Sequence, residues 1–142
     1  MSRENLQEIL SALVPFAKQH LEDLGYCPPI AASLDGSGDI DLHLPPLGTA
    51  GDTEEFLELL KRELRDGAGT GRYEATGLCM EVKAQRMGED AAEDALCVHL
   101  EAPGESIHYF VPYDRDEDGE VEYGETFFGP ADPEVFPANG RE

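Results

Sequence analysis

Between positions 114 and 125 the chain reads Asp-Arg-Asp-Glu-Asp-Gly-Glu-Val-Glu-Tyr-Gly-Glu. Carboxylates fall on alternate residues at Asp114, Asp116 and Asp118, then at Glu120, Glu122 and Glu125, with Gly119 where the chain must turn sharply. A hard cation such as calcium takes about six to eight oxygen ligands, and alternate residues of a tight loop can point that many inward. Asp114, Asp116, Asp118, Glu120 and Glu125 are therefore candidate calcium ligands. A second set is softer: Cys97, His99 and His108 fall on alternate positions of two β-rich stretches. Zinc takes three or four such nitrogen and sulfur ligands. Nucleophilic chemistry finds no matching pattern. There is no Gly-x-Ser-x-Gly elbow and no phosphate-cradling Gly-x-x-x-x-Gly-Lys-Ser/Thr loop.

The 114–125 stretch resembles an EF-hand calcium loop position by position. The resemblance implies ligands from Asp114, Asp116 and Asp118, a turn at Gly119 and a backbone carbonyl from Glu120. It also implies an apolar Val121, a water-mediated contact at Glu122 and a bidentate carboxylate at Glu125. It covers 12 of the 142 residues. The flanks differ from the helices of that family: 106–113 is aromatic and β-branched with a proline, and 126–130 is a poor helix. The alternative is an ordinary hairpin turn at Asp116-Glu117-Asp118-Gly119, in a chain where 31 of 142 residues are acidic.

The elements that would hold these residues follow from apolar periodicity. Leu6, Ile9, Leu10, Leu13, Ala17, Leu21 and Leu24 recur at three- and four-residue steps, which predicts a helix over 3–24. Pro15 inside it predicts a kink or two consecutive short helices. Residues 30–44 read as a hairpin about Asp35-Gly36-Ser37-Gly38, pairing Leu34 with Ile40 and Ala32 with Leu42. Asp52 opens a second helix, with Glu55 completing a capping-box-like pair and Gly67 closing it. Residues 73–84 read as a strand and 87–94 as an acidic loop.

The next hairpin turns at Pro103-Gly104. Its register places Leu96, Val98, Leu100, Ile107, Tyr109 and Val111 on one face and Cys97, His99, Glu101, Ser106, His108 and Phe110 on the other. His99 then faces His108. Residues 121–128 read as a last strand, and 129–142 as a Pro/Gly-rich tail in which Val135 and Phe136 are anchors. The expectation is a single α+β domain over 1–142: an antiparallel sheet of about five to six strands, in two or three hairpins, with two helices on one face.

Charge limits the function. With 10 basic residues against 31 acidic ones, the net charge is −21. Such a field repels nucleic acid and anionic lipid, which are bound through Lys and Arg. No run approaches the roughly 20 apolar residues of a membrane-spanning helix. Cys27, Cys79 and Cys97 form no CxxC pair and leave an odd thiol, and residues 1–5 lead into no apolar signal region. A cytoplasmic location is expected. Fourteen of the 21 net negative charges lie after residue 86.

A dense negative patch costs stability through self-repulsion but speeds and orients encounter with a cationic partner. This character resembles that of small acidic bacterial proteins, including immunity-type proteins that block basic toxins. The resemblance implies a non-catalytic, immunity- or inhibitor-like domain whose Asp116, Glu117, Asp118, Glu120 and Glu122 meet a basic protein. No cofactor is expected unless the 114–125 loop takes calcium. An enzyme of another class is the remaining alternative.

Overall fold

A computed structural model describes residues 2–43, 53–84, 93–132 and 135–136. The elements are α1 (Ser2–Leu24), β1 (Ile30–Asp35), β2 (Ile40–His43), α2 (Thr53–Gly69), β3 (Tyr73–Ala84), β4 (Glu93–Ala102), β5 (Glu105–Arg115), β6 (Val121–Tyr123) and β7 (Phe127–Pro130). The strands form a seven-stranded antiparallel sheet ordered β2-β1-β3-β4-β5-β6, with β7 also paired to β5. The fold is α+β. No helix among the described residues is long and apolar enough to cross a membrane.

Both expected registers are present. Leu34 pairs with Ile40 and Ala32 with Leu42, while the Leu44 end of that hairpin lies outside the described residues. Leu96 pairs with Val111, Leu100 with Ile107 and His99 with His108, about a two-residue turn at Pro103-Gly104. Period-two alternation fixes which face each side chain takes, and the turn fixes the pairing.

One face of the sheet is covered by α1. Leu6, Ile9, Leu10, Leu13, Ala17 and Leu21 pack on Ile30, Ala32, Leu34, Cys79, Leu96, Val98 and Leu100 in one buried cluster. Each fully buried Leu or Ile there contributes about 1.5–3 kcal/mol. This stripe runs on both sides of Pro15, and α1 is one helix through it, so of the two alternatives, a kink or two short helices, the second does not hold. Pro15 faces solvent, so packing on the sheet holds the helix together where the proline removes a backbone hydrogen bond.

The second helix was expected beside the first, but it lies on the opposite face. Ala31 and Leu78, one residue out of phase with Ile30 and Cys79, cluster with Leu60 and Leu64 of α2 and with Tyr73, Val135 and Phe136. The β1–β3 part of the sheet is apolar on both sides, so both sides need cover. Gly67 does not end α2, which continues to Gly69. A Cβ at Gly67 would overlap the Tyr73 ring, so this glycine lets the end of α2 approach β3 closely. The Asp52 cap and most of 87–94 lie outside the described residues.

The expected strand 121–128 is two strands. β6 pairs with Tyr113–Arg115, and after a short break β7 runs on in the same direction along that edge to pair with Ile107–Phe110, its register shifted by one residue.

Candidate functional site

The acidic stretch is the tip of the β5–β6 hairpin. Asp114 sits on β5 opposite Glu122, and Arg115 opposite Val121. The turn closes when the Asp116 amide donates to the Glu120 carbonyl and the Gly119 amide to the Asp116 carbonyl, both at 3.0 Å. Asp116 Oδ1 accepts from the amides of Asp118 and Glu120, both at 2.9 Å. Gly119 takes the left-handed conformation, φ +85°, which side-chain-bearing residues rarely adopt.

Of the five candidate calcium ligands, the turn brings three together. One carboxylate oxygen each from Asp116, Asp118 and Glu120 lies within 4.8 Å of the others, and all three residues are exposed. Among the described residues this is the one such convergence of acidic, His or Cys ligand atoms, and it includes neither Asp114 nor Glu125.

The hairpin is bolted to the end of α1. Tyr123 donates to Glu22 at 2.7 Å, and the Arg115 guanidinium donates to the Gly25 carbonyl at 2.6 Å. Lys18 Nζ lies 4.4 Å from the centre of the Tyr123 ring. Beside it, Glu81 of β3 accepts from the Cys27 amide and, at 3.0 Å, from the Tyr113 hydroxyl. Burial and the adjoining carboxylate raise both phenols well above their usual range: Glu81 acts on Tyr113 and Glu22 on Tyr123.

These contacts place Glu22, Asp23, Asp114, Asp116, Glu117, Asp118, Glu120 and Glu122, all exposed, at one end of the molecule. The cations there are engaged: Lys18 with the ring, Arg115 with the carbonyl and Lys83 with Asp94.

Cys97, His99 and His108 do share the face expected of them. His99 Nε2 lies 2.7 Å from Glu101 Oε1, and the two imidazole rings meet edge-on with centroids 5.1 Å apart. His99 is 4% exposed and Glu101 fully buried. The Glu101 carboxyl also accepts from the Val135 amide at 2.9 Å and the Phe136 amide at 2.6 Å. The tail is thus pinned over this face, as the anchoring role of Val135 and Phe136 requires. No three metal-ligating atoms from Cys97, His99, His108 and their described neighbours converge.

Cys27, Cys79 and Cys97 are buried thiols that form no disulfide among the described residues. A hydrogen bond with Cys27, then burial, raises the Cys79 thiol well above its ordinary range. A thiol held protonated is a poor nucleophile.

No protein-family model, curated protein or solved structure matches the chain.

Sequence reasoning missed Glu22, Glu81 and Glu101. Glu101 could be placed on the Cys97–His99 face, but a carboxylate on a half-polar face reads as solvated. Its burial depends on tail residues more than 30 positions away, which no local pattern announces.

Proposed function

We propose that the protein is a non-catalytic interaction protein, immunity- or inhibitor-like, whose acidic end receives a basic protein partner. The observation that carries this reading is the joining of two acidic segments, 22–23 and 114–122, by the Tyr123–Glu22 and Arg115–Gly25 hydrogen bonds. Glu22 and Asp23 also sit at the C-terminal end of α1, which has no basic residue in its last turn. Acids there oppose the helix dipole. The arrangement costs stability that a binding role would offset, since such a field steers a cationic partner into place.

The test begins with co-purification from source cells at low salt, followed by reconstitution with the recovered protein. The partner is expected to be basic, and affinity should fall steeply with salt. Neutralising the hairpin together (Asp116→Asn, Glu117→Gln, Asp118→Asn, Glu120→Gln, Glu122→Gln) should slow association by about tenfold or more. A complex indifferent to salt and to these substitutions would sink the reading.

A second reading is calcium binding by Asp116, Asp118 and Glu120, favoured by their mutual 4.8 Å convergence. The donor chemistry fits a hard cation. The Asp116 oxygen that holds two amides is already engaged in the turn. At calcium 100 times its Kd, binding would add about 2.7 kcal/mol of stability. The melt should then shift between calcium and chelator in the native chain and stay fixed in Asp118→Asn.

A further inference from the structure

On the α1 face, away from the acidic end, the N-terminal half of α1 leaves a cleft against the sheet of about 350 Å³. Its walls are Leu6 and Leu10 of α1, its floor Leu100 and Ile107, and its far side Phe128 of β7. Leu100 and Ile107 are directly paired across β4 and β5, so the floor is rigid. Phe128 is held 4.9 Å from the Tyr109 ring yet remains 57% exposed. Two polar side chains complete the lining, Glu105 from the start of β5 and Gln7 from α1, and among the described residues no cation lines it.

We propose that this cleft binds an amphipathic cation: an apolar chain or ring bearing a protonated amine. The volume lies at the lower end of the roughly 300–1,000 Å³ of small-molecule sites, which pair apolar walls with a few placed polar groups. The apolar walls take the hydrocarbon, and the Glu105 carboxylate in the lining receives the charged head. Charge complementarity selects the sign: Glu105 and a net charge of −21 attract an ammonium and repel a carboxylate. The tail residues Val135 and Phe136 dock on the other face of the sheet, so they do not fill the cleft. The proposal is independent of the basic-partner reading, which concerns the opposite end of α1.

The test titrates the full chain with n-octylammonium, n-octanoate and n-octanol below their micellar concentrations, at physiological salt to screen the general field. Calorimetry gives affinity, and amide chemical shifts give location. Octylammonium should bind about five- to tenfold more tightly than octanol, and octanoate most weakly. Shortening the ammonium chain should weaken binding by about fourfold per methylene, the equivalent of about 0.8 kcal/mol. Shifts should centre on Leu6, Leu10, Leu100, Ile107 and Phe128.

Glu105→Gln should erase the preference for ammonium over octanol, and Phe128→Ala, at an exposed position that folding tolerates, should weaken both. Equal affinity for all three probes, no binding at all, shifts centred on 114–125, or an ammonium preference that survives Glu105→Gln would each overturn the proposal.

Discussion

The molecule contains the same turn twice. At 35–39, the Asp35 amide donates to the Asp39 carbonyl and the Gly38 amide to the Asp35 carbonyl, at 3.0 and 3.1 Å. Asp35 Oδ1 accepts from the amides of Ser37 and Asp39, and Gly38 has φ +91°. At 116–120, Asp116, Asp118, Gly119 and Glu120 repeat each of these bonds with the same atoms. One copy carries Gly36 and Ser37 at its centre, the other Glu117 and Asp118. Identical backbone bonding with such different central residues means that Asp and Gly build the turn alone. The extra carboxylates of the second copy add no bond to the turn's backbone.

The largest test of this comparison removes the third carboxylate that gathers backbone amides. Glu101 holds Val135, Phe136 and His99 as Asp35 and Asp116 hold their turns, but with no water to replace it. Glu101→Ala should cost about 3 kcal/mol, because buried donors are left without their acceptor. Denaturant unfolding gives the magnitude. Hydrogen exchange should speed selectively at the Val135 and Phe136 amides, and unchanged protection there would contradict the pinning role.

Next come the two turns themselves. Asp35→Ala and Asp116→Ala each delete an acceptor shared by two exposed amides, so each should destabilise far less than Glu101→Ala. The architectural loss should be the same in both. At 116 the substitution also relieves repulsion among Asp114, Asp118, Glu120 and Glu122, so its net cost should be smaller, and the gap between the variants should close as salt rises. Equal costs at low salt would mean that the acids of the second turn do not feel one another.

This comparison also marks how far the sequence can be read. Both turns are legible as Asp-x-x-Gly between alternating strands, and so are the two registers, because turn chemistry and period-two patterning agree within a dozen residues. The opposed placement of α2 was hidden, since it depends on Ala31 and Leu78, single members of strands whose two faces are both apolar. The joining of 22–23 to 114–122 was hidden too, because it rests on Tyr123 and Arg115 reaching about 90 to 100 positions along the chain. Ligand spacing was visible at 114–125; which three carboxylates converge depends on the side-chain and backbone bonds of the 116–120 turn.

The smallest effect is also the most local. Hydrogen bonds from the backbone of Asp39, then of Ser37, hold the Asp35 carboxyl below its ordinary range. A carboxylate depressed in the folded state contributes stability that is present above its unfolded pKa, near 3.9, and is lost as pH falls through the lower folded value. The raw acid curve of a chain with net charge −21 mixes this with the general relief of repulsion as other acids protonate. Asp35→Asn isolates it, keeping the side-chain oxygen that accepts the two amides while removing the charge that strengthens those bonds. The native chain should therefore be slightly more stable than Asp35→Asn at pH 6, and the difference should shrink once pH falls below about 4 and be lost below the folded value. A difference that persists in acid would assign the stabilisation to the shape of the side chain, leaving the turn as indifferent to charge at 35 as its backbone is at 116.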